Sequence, residues 1–171
     1  MRLLADGVAH GGVGIASLTR QVIEMPLRCR HDGVMSTPTG AEVMAQFIPQ
    51  SPFVAKLGIV PEVLDADEVR LRMPWDPTNV TLGDMVHGGA IASLADVTVM
   101  AAAWAGVEAA PSLRGVTVSM AMQFLAPARA TDLIGVGRVL RQGKTLVSCD
   151  VDVVMPDGEL VAKAIATYKV G

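Results

Sequence analysis

A histidine, two glycines and one aspartate are the residues of this sequence best placed to do chemistry. His87 is followed directly by Gly88 and Gly89, and Asp96 comes nine positions after the histidine in a run of alanine, valine and methionine. A carboxylate is costly to bury in such a run unless it has polar partners or a chemical task. Glycines at a helix start leave the first N–H groups open to a polarised oxygen. The combination predicts attack on an activated carbonyl carbon, such as that of an acyl thioester.

The spacing between Gly88 and Asp96 limits how these two groups can cooperate. Eight residues of α-helix separate them, which corresponds to about 12 Å along the helix axis. A water molecule that attacks a carbonyl carbon must come within about 3–3.5 Å of it. One helix therefore cannot bring both groups to one reacting carbon. The sequence predicts a homodimer with two symmetric sites at its interface.

Hydrophobic periodicity predicts the elements that position these residues. Positions 88–106 are apolar around nearly the whole circumference of a helix, which indicates a buried helix that follows a loop over 75–86. Strands are expected at 59–64 and 68–73 before the helix, and at 116–124, 132–140, 147–153 and 160–169 after it. Tight turns are expected at 65–67, 142–144 and 156–158. This order predicts an α+β fold in which an antiparallel sheet of five or six strands wraps around one long central helix.

The first part of the chain does not share this periodicity. Residues 1–40 mix glycine, arginine and proline without a sustained period, which predicts an N-terminal extension, either poorly ordered or an appended arm. The domain itself should cover residues 41–171 and open with a short helix at 41–47, broken by Pro49 and Pro52.

An echo of the glycine motif lies within the N-terminal extension. It begins at His10, but Thr19 stands where the second copy has Asp96. Because the echo has no carboxylate, we do not expect a functional repeat.

Composition excludes several classes of function. The formal net charge is −3 and only 4% of the residues are aromatic, so no basic, aromatic-rich face for nucleic acid is expected. The longest uncharged run, 97–107, is shorter than the roughly 20 residues of a bilayer helix, and no membrane span is expected. The two cysteines, Cys29 and Cys149, are far apart, which favours a reduced cytoplasmic protein. Three dispersed histidines make a metal site unexpected.

The order of elements, together with His-Gly-Gly and an acid nine positions after the histidine, resembles the hotdog-fold acyl-CoA thioesterases of the phenylacetate-pathway type. The segments 115–120, 124–129 and 141–146 also look like family segments. The resemblance covers roughly residues 53–171. It implies hydrolysis of acyl-CoA without a metal or cofactor, since CoA is part of the substrate. It further implies a homodimer, often paired again into a tetramer.

The resemblance also implies roles for single residues. Asp96 would be the general base or the nucleophile, and the Gly88 amide of the other subunit would polarise the thioester carbonyl. His87 would orient the loop before the helix, and Thr117 would supply a hydroxyl. The residues implied to hold the substrate and its CoA are Gly89, Ala126, Pro127, Arg129, Arg141, Gly143, Lys144 and Thr145.

One position departs from the family pattern. The family commonly has an asparagine six residues before the histidine, where this sequence has Thr81, and the nearest asparagine is Asn79. Either an insertion in the loop brings Asn79 to the site, or the Thr81 hydroxyl takes part, or this assistance is missing. The departure affects rate and specificity more than the type of reaction.

Other functions remain as alternatives. An acyl-CoA hydratase or dehydratase would use a motif such as His-Phe-Pro, which this sequence lacks. A non-catalytic acyl-CoA-binding module would bind ligand without turnover, and the presence of Asp96 counts against it. Ser93 lacks the Gly-x-Ser-x-Gly elbow of a serine hydrolase. The sequence shows no aromatic cluster, so linear and aryl acyl groups both stay open, and Met120 and Met122 could line a flexible acyl pocket.

Overall fold

A six-stranded antiparallel sheet packs against one long helix in the computed structural model. The structure describes residues 29–31, 34–107 and 114–171. Its helices are α1 (Gly40–Gln50), α2 (Pro52–Lys56) and α3 (Gly88–Ala105), with a 3₁₀ turn at Pro77–Asn79. Its strands are β1 (Cys29–His31), β2 (Val34–Ser36), β3 (Val60–Leu64), β4 (Val69–Met73), β5 (Val80–Leu82), β6 (Met85–Val86), β7 (Gly115–Phe124), β8 (Leu133–Gln142), β9 (Leu146–Val154) and β10 (Leu160–Val170).

The strand order of the main sheet is β3-β4-β8-β9-β10-β7, with every neighbouring pair antiparallel. This arrangement confirms the expected hotdog architecture, and the predicted strands differ from the observed ones by one or two residues at their ends. Strand β7 follows α3 in the chain but lies at the edge of the sheet, where β10 is its one partner among the described strands. One side of β7 therefore presents backbone N–H and C=O groups that have no strand partner within the described chain.

Helix α3 forms the centre of the core. Twelve of its residues are buried, and its last residues pack against α1. Two glycines of β8, Gly135 and Gly137, let the sheet approach the helix, because a Cβ at Gly135 would overlap the Thr98 hydroxyl. That hydroxyl donates to the Leu94 carbonyl at 2.7 Å, so the buried polar atom is satisfied. By length and hydropathy α3 resembles a membrane span, but 67% of it is buried inside the fold.

Two local predictions were wrong. Helix α1 does not end before Pro49 but continues to Gln50, because a proline in the last turn removes only one helical hydrogen bond. Its start is fixed by a capping box between Thr39 and Glu42, one residue before the predicted domain boundary. The predicted loop over 75–86 contains the 3₁₀ turn and the β5–β6 hairpin, whose left-handed Gly83 makes the turn.

The predicted N-terminal extension is described only in part. Within it, β1 pairs with β2 in antiparallel register. Residues 1–28 lie outside the described residues, and so does the glycine echo that begins at His10. The extension therefore stays a prediction.

The close approach of β8 and α3 gives a direct test of the core. We expect Gly135→Ala to lower the free energy of unfolding by about 1–3 kcal/mol, since the new methyl group overlaps the Thr98 side chain. Adding Thr98→Ala removes the overlapping atoms and should restore most of this loss. Urea unfolding of the two single variants and the double variant measures the coupling. Additive losses would show that the two side chains do not meet.

Candidate active site

The start of α3 leaves one backbone amide without an acceptor. His87 is the N-cap residue, and its Nδ1 accepts a hydrogen bond from the Gly89 N–H at 2.8 Å. The His87 carbonyl accepts from the N–H groups of Ala90 and Ile91. The Gly88 N–H has no acceptor among the described residues. Because Nδ1 accepts, the capping imidazole is the neutral tautomer with its proton on Nε2. The cap therefore leaves Gly88 as the free donor of the first turn.

The segment before the helix is attached to the loop that follows β7. Arg129 Nη1 lies 2.7 Å from Asp84 Oδ1, and the Ala130 N–H donates to the Asp84 carbonyl at 2.9 Å. The Val86 N–H donates to the Ala128 carbonyl at 2.9 Å. Ala130 adopts a left-handed φ of 44°, a conformation that costs energy for a residue with a side chain. These contacts fix the position from which the Gly88 amide points.

Two cavities flank this helix start. One of about 380 Å³ is lined by Gly88, Thr81 and the segment 124–128, so the predicted Ala126 and Pro127 do lie beside the free amide. The other, of about 450 Å³, is lined by His87, Gly89 and Asn79 among others. Thr81 and Asn79, the two candidates for the missing family asparagine, therefore border different cavities. Asn79 also accepts the His87 N–H through its carbonyl at 2.8 Å.

Asp96 lies in a third cavity, of about 280 Å³. The side chain is half-buried, and Thr117 on β7 donates its hydroxyl to Asp96 Oδ1 at 2.6 Å. Asp96 Oδ2 has no hydrogen-bond partner within the described ranges. The other lining residues are Phe47, Ser51, Phe53, Val54, Val97, Met100, Gly115, Val116 and Tyr168. Gly88 is absent from this lining, so one protomer holds the carboxylate and the free amide in separate cavities, as their spacing predicts.

Tyr168 is a residue of this cavity that the sequence did not reveal. It is the only tyrosine of the chain, it is buried, and it pairs in register with Thr117 across β10 and β7. Burial is the main reason that its pKa is raised, a Trp104 hydrogen bond opposes the shift, and the Asp96 charge adds to it. The phenol therefore senses the charge of the candidate catalytic carboxylate.

An aromatic group surrounds Asp96, which corrects the expectation that the chain has no aromatic cluster. Phe47, Phe53 and Tyr168 all line this cavity, and they are half of the six aromatic residues of the chain. Phe53 and Tyr168 are more than a hundred positions apart. Only the folded chain brings them together, so no local pattern could have shown the cluster.

The two segments implied to hold CoA lie at opposite ends of the sheet. Arg141, Gly143, Lys144 and Thr145 lie at or beside the β8–β9 turn. The Thr145 carbonyl accepts the N–H of Val170, whose register partner is Gly115 at the start of β7. Arg129 instead follows the far end of β7. One protomer therefore does not bring Arg129 close to Arg141 and Lys144 at the opening of a single cavity.

The charged groups in these segments differ in their partners. Arg129 is occupied by its ion pair with Asp84. Arg141 and Lys144 make no ion pair with any residue that the structure describes.

Cys149 cannot serve as a nucleophile, because burial raises its thiol pKa to about 11.

Residues 83–162 match the model of the thioesterase superfamily. This segment of the hotdog domain is thus similar to that family. A protein of Saccharolobus solfataricus that is provisionally named as an esterase is 28% identical over 129 residues, covering 73% of this chain and 81% of that protein. A thioesterase family protein of Silicibacter pomeroyi superposes with a TM-score of 0.70 at 25% identity, over 77% of this chain and 97% of that one.

The fold also matches that of the E. coli PaaI protein from the phenylacetic acid degradation operon. The TM-score is 0.67 at 23% identity, over 77% of this chain and 94% of that one. The segment that matches the thioesterase superfamily contains the free amide of Gly88, the Asp96 carboxylate and the Thr117 hydroxyl. The family model and the esterase-named relative support hydrolysis of a thioester as the general chemistry.

Titration of the single tyrosine tests the neighbourhood of Asp96. We expect the ultraviolet absorbance of tyrosinate in the folded protein to appear above the ordinary pKa of 10.0. The pKa of Tyr168 is higher in the folded than in the unfolded protein. The protonated phenol therefore contributes its full stability below pH 10, and this contribution is lost as the pH rises through the pKa of the folded protein. Asp96→Asn should lower the midpoint, since it removes a nearby negative charge. An unchanged midpoint in that variant would mean that the two side chains do not interact.

Proposed function

We propose that the protein is an acyl-CoA thioesterase that acts as a homodimer. Each site would combine Asp96 with the free amide of Gly88 of the partner subunit. The observation that carries this proposal is the separation of two incomplete half-sites in one protomer: Asp96 Oδ2 has no donor among the described residues, and the Gly88 N–H has no acceptor there. The two groups lie about 12 Å apart along α3.

The free edge of β7 supports a specific way of completing the site. Val116, Val118 and Phe124 are more than half exposed on this ten-residue strand. A long, apolar and unpaired edge is a surface for pairing with another chain. Two copies of β7 paired antiparallel about a two-fold axis would place the Gly115 end of one strand beside the Phe124 end of the other.

This symmetry would bring the half-sites together. Asp96 is hydrogen-bonded to Thr117, near the start of β7, whereas Phe124, at the end of β7, lies next to Gly88. The two-fold axis that pairs opposite strand ends therefore carries each carboxylate toward a free amide of the partner. The same operation would bring the 141–145 turn toward the partner's loop at 126–129. The two segments that are expected to hold CoA would then lie at one site, one from each subunit.

The reaction at such a site follows from the free atoms. The amide of Gly88 of the partner subunit would donate to the thioester carbonyl oxygen and stabilise its negative charge in the tetrahedral intermediate. Asp96 Oδ2 would take a proton from water as the water oxygen bonds to the carbonyl carbon. Collapse breaks the carbon–sulfur bond, and the proton passes to the CoA thiolate. Thr117 would hold the second carboxylate oxygen in place.

Direct attack by Asp96 is a second route to the same products. Oδ2 would bond to the carbonyl carbon, expel CoA and form an anhydride that water then hydrolyses. A single turnover in ¹⁸O-labelled water separates the routes, because only the anhydride route places label in the Asp96 carboxylate. The proposal needs no metal or cofactor, and it includes a cytoplasmic location and a further pairing of dimers into a tetramer.

Two substitutions test the paired half-sites. Asp96→Asn should lower kcat for acyl-CoA about 100- to 10,000-fold, because it removes the proton acceptor. Gly88→Pro should lower kcat about 100- to 1,000-fold, because it removes the oxyanion donor. Proline is well tolerated at the first helical position, and His87 before it is already extended with ψ 135°.

Both variants are to be compared with the wild type by circular dichroism and by acyl-CoA binding. Unchanged hydrolysis in either folded variant would reject the proposed role of that group. Binding of acyl-CoA by the wild type without turnover would instead identify an acyl-CoA-binding module.

The cations of the β8–β9 turn should recognise CoA rather than the acyl group. We expect Arg141→Ala and Lys144→Ala to raise KM for acyl-CoA severalfold with little change in kcat, since CoA phosphates lose a counter-charge. A truncated thioester without the nucleotide should show no such change. Arg70→Ala, which removes a charge from β4, where Arg70 pairs in register with Val136 of β8 and not with the 141–145 turn, is the matched control. An equal rise in KM for the truncated substrate would place CoA elsewhere.

A further inference from the structure

The cavity beside the Gly88 amide has two walls that belong to different parts of the chain. One wall is the β5–β6 hairpin, which contributes Thr81 and Met85 among others, and the other is the segment 124–128 at the end of β7. The Phe124 ring lies so close to Gly88 that a Cβ on that glycine would be 3.6 Å from it. The position of the amide in this cavity therefore depends on how the two walls are held together.

The loop at 125–132, here called the anchoring loop, is fixed to the main sheet at both of its ends. At its start, the Leu125 N–H donates to the Val161 carbonyl on β10 at 2.8 Å. At its end, Asp132 Oδ2 accepts a hydrogen bond from Arg72 Nη1 on β4 at 3.2 Å. A loop that is tied to a sheet at both ends opens less readily than a free one, so it gives a rigid support to whatever contacts its middle.

The β5–β6 hairpin has no strand partner in the main sheet within the described ranges. Its two strands have only three and two residues, and so short a hairpin is not stable alone in water. It meets the anchoring loop at Arg129, which forms an antiparallel bridge with Met85. Beside this bridge, the Val86 N–H donates to the Ala128 carbonyl at 2.9 Å. The hairpin, and with it the chain that enters α3, therefore takes its position from the anchoring loop.

An ion pair joins the same two segments through their side chains. Arg129 Nη1 lies 2.7 Å from Asp84 Oδ1, and the Ala130 N–H donates to the Asp84 carbonyl at 2.9 Å. Asp84 is thus held through both its side chain and its backbone, four residues before Gly88. Both charged side chains are about half exposed, and such a pair contributes little to the stability of the whole fold. Its effect should be local, on the distance between the hairpin and the anchoring loop.

We propose that the Arg129–Asp84 ion pair is a positioning device that supports the chemical step by holding the Gly88 amide in place. This inference rests on the proposed thioesterase function, and it gives Arg129 a different role from the one that the resemblance implies. A CoA phosphate would meet a guanidinium that a carboxylate already neutralises, so the pair offers it no net positive charge. A displacement of about 1 Å can cost an oxyanion donor much of its effect on the transition state. Arg129 is thus a positioning residue that acts on kcat rather than on KM.

Steady-state kinetics of charge-removing variants tests this role. Arg129→Gln and Asp84→Asn should each lower kcat for acyl-CoA about three- to tenfold and leave KM within about twofold of the wild-type value. The double variant should lose no more than the worse single variant, because both substitutions break one interaction. Arg138→Gln is the matched control, since it removes a partly exposed guanidinium that pairs with Glu68 at 2.7 Å on the main sheet. It should leave kcat unchanged.

Reversal of the ion pair separates positioning from phosphate binding. Arg129→Asp alone puts two carboxylates side by side, so it should lower kcat further than Arg129→Gln does. Adding Asp84→Arg restores the attraction with opposite polarity and should return kcat to within about threefold of the wild-type value. A residue that bound a CoA phosphate would not be rescued in this way, because the substituted carboxylate would repel the phosphate.

Backbone hydrogen exchange gives a readout that does not depend on activity. The Val86 and Ala130 N–H groups both bond across the junction between the hairpin and the anchoring loop. Their exchange should be at least about threefold faster in Arg129→Gln than in the wild type, because the junction opens more often. Arg138→Gln should leave both exchange rates unchanged.

Several results would overturn the inference, with the fold of each variant verified by circular dichroism. They are an unchanged kcat in Arg129→Gln, a rise in KM alone, unchanged exchange of the two amides, or a reversed pair that stays as slow as Arg129→Asp. Failure of the proposed function is recognised separately, because the wild type would then hydrolyse no acyl-CoA. In that case the exchange rates still show whether the ion pair holds the hairpin.

Discussion

One helix carries both chemical groups of the candidate site, and its rise of about 1.5 Å per residue keeps them apart. The Gly88 amide belongs to the first turn of α3, whereas the Asp96 carboxylate lies more than two turns further along. No side-chain rotation closes that gap. The proposed dimer answers this constraint, because β7 is an edge strand of the described sheet and its two ends lie beside the two groups, Thr117 at Asp96 and Phe124 at Gly88.

The residues at the start of α3 explain why the Gly88 N–H is available to a ligand. The His87 imidazole accepts the Gly89 N–H, and within the described part of the chain the Gly88 N–H has no acceptor. A side chain at Gly89 would come within 2.9 Å of His87 Nδ1, whereas one at Gly88 would touch only the Phe124 ring at 3.6 Å. The two glycines are thus not equivalent. One permits the cap, and the other presents the donor.

Most of the fold could be predicted from the sequence, because the fold depends on local periodicity. The alternation in β7, β9 and β10 and the unbroken apolar surface of α3 identified those elements to within one or two residues. The extra turn of α1 through Pro49 was missed, since a proline near a helix end costs little. The β5–β6 hairpin was missed because strands of two or three residues show no period.

The site could be predicted only where its residues are close in the chain. His87, Gly88 and Asp96 form a motif with readable spacing, and the structure places His87 as the N-cap of α3 and Asp96 in a hydrogen bond with Thr117. Tyr168, Phe47 and Phe53 come from three distant segments, so their meeting around Asp96 depends on the packing of α1, α2 and β10 against α3. The CoA segments show the same limit, because the sequence could not indicate that one protomer holds them at opposite ends of its sheet.

The shared site is tested most directly by combining two inactive chains. Asp96→Asn and Gly88→Pro chains, co-expressed with different tags and purified through both, would form mixed dimers with one intact and one doubly altered site. Such dimers should recover about half of the wild-type activity, although each variant alone is nearly inactive. Mixed dimers that remain as inactive as the parent variants would contradict the account, because the two groups would then have to act within one chain.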